Sequence, residues 1–180
     1  AEKFIFIEYF IMSPGFMLSS ILEILFAKAK EGVEIRIMYD GTTDAVRLPF
    51  DFKEYLAENG VKCAVFSPIK PLISSQLNYR DHRKIVVIDG KVAFTGGVNI
   101  ADEYINKTHP YGHWKDAAVK VTGNCVKSFT EMFLKMWNFS CRREDADGDT
   151  EKYFPALPYD ASGESYCVPF SDDPINEEDI

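Results

Sequence analysis

The sequence predicts an α/β domain in which helices flank a mixed, largely parallel sheet. From Phe4 to Phe66, strand-like apolar runs alternate with segments of helical spacing, an order that favours parallel strand pairing. Farther along, Asp89-Gly90 separates two more strand-like runs, which is a strong signal for a tight antiparallel hairpin. The 180 residues, 46% of them hydrophobic, are enough for one domain of this kind or for one half of a two-part fold.

The elements follow from hydrophobic spacing and from the residues that start or stop each run. The first part of the chain is predicted to contain a strand at 4–12, a helix from a serine cap at Ser19 or Ser20 to Gly32, a strand at 33–41, a helix from Pro49 to Gly60 and a strand at 61–66. The second part is predicted to contain a loop at 67–79, hairpin strands on either side of Asp89-Gly90, a strand at 116–121 and a helix after Gly123 that buries Val126, Phe129, Phe133, Met136 and Trp137.

The charge distribution divides the chain into two parts. The net charge is -8, but residues 1–140 hold 17 Lys+Arg and 16 Asp+Glu, whereas residues 141–180 hold 3 and 12. We therefore predict a catalytic half at 1–140, followed by an acidic, proline-containing linker at 141–180 that leads into a truncated second half. The nearly neutral body lacks the basic excess expected of a nucleic-acid-binding protein.

Composition also restricts the compartment and the cofactors. No apolar run is long enough to cross a bilayer and no leader peptide is present, so we expect this fragment to be soluble. The chain starts at Ala1 directly before a strand-like run, which suggests a piece of a longer protein. The four cysteines are widely spaced, as is typical of reduced thiols, and no metal-binding motif is present. We expect neither a metal nor another cofactor.

The segment that points to chemistry is HRKIVVID, from His82 to Asp89. In an extended strand, residues two apart point to the same side, so His82 and Lys84 share a face and Arg83 faces away. The hairpin returns the partner strand, with its Gly96–Asn99 end, to the neighbourhood of His82. A cation, an amide donor, exposed backbone amides and an imidazole together suit a phosphate group.

The spacing of these residues forms a longer sequence pattern. The pattern H-x-K-x4-D-x6-G-G-x-N is matched by His82, Lys84, Asp89, Gly96, Gly97 and Asn99. It closely resembles the HKD motif of the phospholipase D superfamily. Most members have serine where this chain has Gly97, and the double glycine is similar to the first half of bacterial cardiolipin synthases. The resemblance covers nearly all of residues 4–140.

The resemblance implies transfer without a metal, in two steps, at a site built from two such motifs. One histidine attacks phosphorus to form a phosphohistidine, the other protonates the leaving alcohol, and an incoming hydroxyl then resolves the intermediate. In a cardiolipin synthase, one phosphatidylglycerol is the donor, a second is the acceptor, and glycerol leaves. The implied partners are the phospholipid, the membrane surface at its cytoplasmic face in bacteria, and a second HKD half from the full-length chain or from a homodimer.

The resemblance also implies roles for individual residues. His82 would be either the nucleophile or the general acid, and Lys84, Gly97 and Asn99 would bind the phosphate oxygens. Asp116 would hydrogen-bond a catalytic imidazole, and the alternative is an exposed aspartate at a strand end. Asp89 belongs to the motif, but its place in the hairpin turn favours a structural role.

Several other residues have two possible interpretations. Glu8, a carboxylate inside an apolar strand, requires a partner, and it is either part of a structural ion pair or part of the site. Arg80 and Arg83 supply either positive potential for headgroups or ordinary surface charge. Residues 16–18 and 67–79 either contact lipid or pack together. We take His109 and His113 as loop residues.

Two other functions compete with phosphatidyl transfer. A phosphodiesterase of the same superfamily that acts on nucleic acid would use the same chemistry, although no basic groove is predicted. A catalytically silent structural half is the other alternative, because only one H-x-K motif is present.

Overall fold

The structure is a computed structural model that describes residues 1–69, 79–156 and 167–172. Its strands are β1 (Phe4–Tyr9), β2 (Glu34–Asp40), β3 (Val61–Phe66), β4 (Lys84–Ile88), β5 (Val92–Gly96) and β6 (Ala118–Thr122). Its α-helices are α1 (Phe16–Lys30), α2 (Gly41–Val46), α3 (Phe52–Glu58) and α4 (Cys125–Ser140). Short 3-10 helices lie at Asp102–Ile105, Arg143–Asp145 and Glu151–Tyr153. Most of the predicted loop at 67–79 lies outside the described residues.

The strands form one mixed sheet in the order β3-β2-β1-β4-β5-β6. Pairing is parallel from β3 to β1 and antiparallel from β1 to β6. The mixed sheet with flanking helices is confirmed, but the expected predominance of parallel pairing is wrong. The helical crossovers that impose parallel pairing occur only between the first three strands, and the Asp89-Gly90 hairpin makes the next pair antiparallel. Both turn residues have positive φ, as such a hairpin requires.

Each face of the sheet has its own core. Odd-numbered side chains of β1 such as Ile5 and Ile7 pack with α1 and α3. Even-numbered ones such as Phe4 and Phe6 pack with α4, where Phe6 stacks on Phe133 at a centroid distance of 4.5 Å. The residues of α4 predicted to be buried are buried: Val126, Phe129, Phe133, Met136 and Trp137.

The start of α1 differs from the prediction. The helix begins at Phe16, before the expected serine cap, and its first amides are bound by a residue distant in sequence. Asp102 accepts hydrogen bonds from the backbone N–H groups of Phe16 (3.0 Å) and Met17 (2.8 Å). A carboxylate at this end satisfies free donors and complements the helix dipole. Local sequence could not reveal such a long-range cap.

The helix α2 was not predicted. It begins after Asp40, whose carboxylate accepts a hydrogen bond from the backbone N–H of Thr42 at 2.8 Å. This N-cap makes a helix possible in a segment of only six residues.

The chain beyond α4 packs against the sheet as far as Tyr153. Arg36 is 1% exposed on β2, and its guanidinium forms ion pairs with Glu34 and Asp147. It also donates a hydrogen bond to the Tyr153 hydroxyl and lies 5.0 Å from the Trp137 ring centroid. The packed body therefore includes part of the segment expected to be a linker. Residues 167–172, the only described residues beyond 156, form no regular secondary structure.

Candidate phosphoryl-transfer site

The candidate site lies at the edge of the sheet where β1 ends and β4 begins. In the antiparallel pairing, Tyr9 lies opposite Lys84. Beyond this pair the rings of Phe10 and His82 come together, with centroids 4.7 Å apart. His82 is exposed at this edge, which leaves its imidazole accessible to a substrate.

Lys84 is buried, with 6% of its surface exposed. Its Nζ donates a hydrogen bond to the backbone carbonyl of His82 at 2.7 Å and lies 5.3 Å from the Phe10 ring centroid. Burial lowers the pKa of Lys84 to about 8, against the opposing effect of Asp81 and Asp116. A cation held with so few partners has donors available for an anion.

The imidazole of His82 favours its neutral form. Burial lowers its pKa first and the nearby Lys84 ammonium lowers it further, while Asp81 and Asp40 act in the opposite direction. A neutral imidazole has a free lone pair, which nucleophilic attack or proton acceptance requires. The structure thus brings His82 and Lys84 together at one edge, as the sequence indicated.

Gly97 and Asp116 are in close contact. A Cβ atom at position 97 would collide with the Asp116 carboxylate, so the glycine allows this approach. Asp116 accepts hydrogen bonds from the Ala117 backbone N–H at 2.7 Å and from the Trp114 Nε1 at 3.1 Å, and both lower its pKa. The predicted bond from Asp116 to a catalytic imidazole stays a prediction.

Asn99 joins two loops at the site. It is 4% exposed; its Oδ1 accepts a hydrogen bond from the Ile11 N–H at 3.0 Å, and its Nδ2 donates one to the Tyr104 hydroxyl at 2.9 Å. One Nδ2 hydrogen remains for a phosphate oxygen. Phosphate binding by Asn99 stays a prediction, and its structural role was not foreseen.

Asp89 lies at the opposite end of β4 from His82. Its carboxylate accepts hydrogen bonds from the backbone N–H groups of Glu2 (2.8 Å), Lys3 (2.7 Å) and Phe4 (2.9 Å). These contacts support the structural interpretation of Asp89, and a catalytic role for this motif residue stays a prediction. The motif aspartate fixes the start of β1 against the β4–β5 turn.

Two arginines and three acidic residues lie where the chain enters β4. Arg80 donates a hydrogen bond to the Ser67 carbonyl at 3.0 Å and lies 3.4 Å from Asp40. Glu8 is fully buried and lies 3.5 Å from Arg83. The sequence indicated that Glu8 requires a partner, and Arg83 lies within ion-pair distance of it, while its role stays a prediction. It did not single out Asp81, which is 1% exposed beside His82.

A cavity of about 490 Å³ opens next to these residues. His82, Arg83 and Lys84 line one part of it. The remainder is mostly apolar and is bounded by β6, by α4 and by the segment 167–172, with Val119, Val121, Phe129, Met132 and Val168 among its lining residues. The structure therefore offers an apolar space beside His82 and Lys84.

The start of α1, where the sequence left lipid contact open, contains one exposed and one buried apolar side chain. Phe16 is 58% exposed and the Lys107 ammonium lies 4.3 Å from its ring centroid. Leu18 is 3% exposed in the core, so for this residue the structure favours packing, the other of the two interpretations. No helix among the described residues is long and apolar enough to span a membrane. Residues 1–69, 79–156 and 167–172 also contain no cluster of side chains suited to a metal ion.

The fold is that of the phospholipase D superfamily. A phospholipase D family member, Nuc from Salmonella typhimurium, matches with a TM-score of 0.60 and 20% identity over 78% of this chain and 82% of its own. Phosphatidylserine synthase from Haemophilus influenzae matches with a TM-score of 0.59 and 14% identity over 77% of this chain and 32% of its own. At these identities the likeness concerns the fold.

Sequence comparison defines the family more closely. The family model described as cardiolipin synthase, PLD-like domain, matches residues 1–137. The chain therefore belongs to the phospholipase D-like domain family of cardiolipin synthases.

Two relatives illustrate how the chain compares with whole proteins. An uncharacterized protein of Streptococcus mutans is 48% identical over 180 residues, which is all of this chain and 38% of that protein. A cardiolipin synthase of Alkalihalophilus pseudofirmus is 42% identical over 140 residues, 77% of this chain and 28% of that enzyme. The chain thus spans well under half the length of these relatives.

Proposed function

We propose that this chain supplies the first half of a phosphatidyltransferase site that makes cardiolipin from two phosphatidylglycerols with release of glycerol. One observation carries the proposal: an exposed His82 lies at a sheet edge beside a buried Lys84 whose remaining donors are available to an anion. The family membership supports the lipid substrate, and the apolar cavity next to His82 suits acyl chains.

In the proposed reaction, His82 is the nucleophile. A ring nitrogen of His82 attacks phosphorus, the bond from phosphorus to the glycerol oxygen breaks, and an acid from the second motif protonates that oxygen. The hydroxyl of the second phosphatidylglycerol then attacks phosphorus, its proton returns to that group, and the phosphorus–nitrogen bond breaks. Lys84 stabilises the negative charge on the nonbridging oxygens during both steps.

The second motif is proposed to come from the remainder of a longer protein. The longer relatives support this, since the matched region covers only 28% of the Alkalihalophilus pseudofirmus enzyme. A symmetric site between two copies of the chain is the alternative source. In either arrangement, the partner half meets the edge of the sheet that carries His82. We propose that the site acts at the cytoplasmic face of the bacterial membrane.

The test is conversion of phosphatidylglycerol vesicles by the longer protein that contains this chain. We expect cardiolipin and glycerol in equal amounts, with the rate reduced at least 1000-fold in His82→Ala. His109→Ala is the matched control, because His109 is exposed in a loop and should leave the rate unchanged. Cardiolipin formation that survives His82→Ala, or cleavage of single-stranded DNA without any lipid product, would refute the proposal.

A further inference from the structure

Next to His82, two buried carboxyl groups face each other. Glu8 lies on β1 opposite Ile85 and is 0% exposed, and Asp81 directly precedes His82 and is 1% exposed. The two side chains are within hydrogen-bonding reach. If both are ionised, Oε2 of Glu8 and Oδ2 of Asp81 have no hydrogen-bond partner among the described residues. Two such orphaned acceptors in a buried site require an explanation.

The cations in contact with this pair provide too little charge for two carboxylates. Arg83 lies 3.5 Å from Glu8, and its guanidinium also donates to the backbone carbonyls of Met132 and Asp172. Asp81 Oδ1 accepts a hydrogen bond from the Arg83 backbone N–H at 3.2 Å. The other charged or titratable groups described around the pair are Asp40, Arg80, His82 and Lys84. Lys84 attracts Asp81 electrostatically, but its Nζ donates to the His82 carbonyl. Asp40 adds a negative charge, and Arg80 pairs with Asp40.

We propose that Glu8 and Asp81 share one proton, form a single negative charge balanced by Arg83, and thereby keep His82 in its neutral, nucleophilic form. A proton between Oε2 and Oδ2 converts one orphaned acceptor into a donor and satisfies both atoms. The pair is a positioning and charge-setting element, since both carboxyls are buried and act through His82. The proposal rests on the proposed function only through the nucleophilic role of His82.

The electrostatics of each group agree with this arrangement. Burial raises the pKa of Glu8 well above its ordinary value and the neighbouring Asp81 raises it further, so the proton resides mainly on Glu8. Burial also raises the pKa of Asp81. A second ionised carboxylate would stabilise the imidazolium form of His82, because Asp81 already raises the pKa of His82. The shared proton therefore limits the negative charge that His82 experiences.

The test is an NMR titration of the His82 imidazole in this chain and in Glu8→Gln, Asp81→Asn and the double variant. Each single substitution removes one carboxylate together with the shared proton, so the charge of the pair stays the same. We expect no shift of the His82 midpoint in Glu8→Gln, where Asp81 keeps the single charge, and a downward shift both in Asp81→Asn, where the charge moves to Glu8, and in the double variant. Glu23→Gln, at an exposed position of α1, is the control and should not move the midpoint.

The His82 titration midpoints of these variants distinguish a shared proton from two ionised carboxylates. If both carboxyls were ionised, Glu8→Gln would remove a negative charge and would already lower the His82 midpoint, and the proposal would be refuted. An unchanged midpoint in the double variant would also refute it. Infrared spectra provide a second readout: the carboxylic acid C=O band of the wild-type chain at neutral pH should be lost in both single variants. Neither readout requires catalysis, so a failure of the proposed function would appear separately as missing activity in the vesicle assay.

Discussion

At the scale of single residues, the burial of Lys84 has opposite effects on anion binding and on the stability of the domain. Lys84 is buried where its charge has few partners, and burial lowers its pKa to about 8. Such a lysine favours anion binding, but it destabilises the empty domain because its charged form is partly desolvated. His82 benefits from the same lysine, which helps to keep the imidazole neutral.

Replacing Lys84 by methionine should therefore stabilise the domain. Because the folded-state pKa is lower than the unfolded one, the contribution of Lys84 to stability is present above the unfolded pKa and is lost as pH falls through about 8. At neutral pH we expect Lys84→Met to raise the free energy of unfolding by roughly 1 kcal/mol. Urea unfolding at several pH values measures this, and a less stable variant at neutral pH would contradict it.

Gly97 and Asp116 should be energetically coupled. A Cβ at position 97 displaces the Asp116 carboxylate from its hydrogen bonds with Trp114 and Ala117. We expect Gly97→Ala to destabilise the wild-type chain more than it destabilises an Asp116→Ala background. Equal costs in a double-mutant cycle would show that the contact does not matter.

At the scale of elements, the structure shows how side chains distant in sequence fix the ends of strands and helices. Asp102 caps α1, Asn99 joins the loop after β1 to the loop after β5, and Asp89 binds the start of β1. All three act on backbone N–H groups, so they set the position of whole elements around His82.

Asp89→Ala should reduce stability without affecting the ionisation of His82. Burial alone would raise the pKa of Asp89, but hydrogen bonds from Phe4, Lys3 and Glu2 lower it overall, so its contribution is present above the unfolded pKa and is lost as pH falls through the folded one. Near pH 7 we expect Asp89→Ala to lower the free energy of unfolding by about 2 kcal/mol. Asp89→Asn should cost less, since the amide oxygen still accepts hydrogen bonds. A changed His82 titration midpoint in Asp89→Ala would contradict this separation of roles.

The same contacts explain what the sequence could and could not predict. The periodic apolar residues of α4 and the Asp89-Gly90 turn are local signals, and both predictions are confirmed. The cap from Asp102 and the pairing of Glu8 with Asp81 depend on the antiparallel return of β4 beside β1, so no local pattern contains them. At the site, the adjacency of His82 and Lys84 followed from strand geometry, whereas the involvement of Asn99 in two structural hydrogen bonds did not.

At the scale of the whole molecule, the domain has one edge strand with little cover. Every residue of β6 except Val121 is exposed, and Val119 is 57% exposed beside the cavity at His82. Uncovered edge strands are sites for association, and the proposed second half would meet the molecule near this region.

The oligomeric state distinguishes the two sources of a second half. If the second motif belongs to the same longer protein, this chain alone should be a monomer of 20.5 kDa in solution. Light scattering coupled to size exclusion measures this directly. A stable dimer that dissociates when Val119 is replaced by lysine would instead favour the symmetric site.

The most direct test of the central claim, that His82 is a nucleophile beside a phosphate-binding lysine, is single-turnover release of nitrophenolate from bis(4-nitrophenyl) phosphate. Nitrophenolate leaves without protonation, so the acid of the second motif is not required for the first step. We predict a burst of about one equivalent from this chain, lost in His82→Ala and retained in His109→Ala. Absence of the burst from the unaltered chain, or its persistence in His82→Ala, would contradict the account.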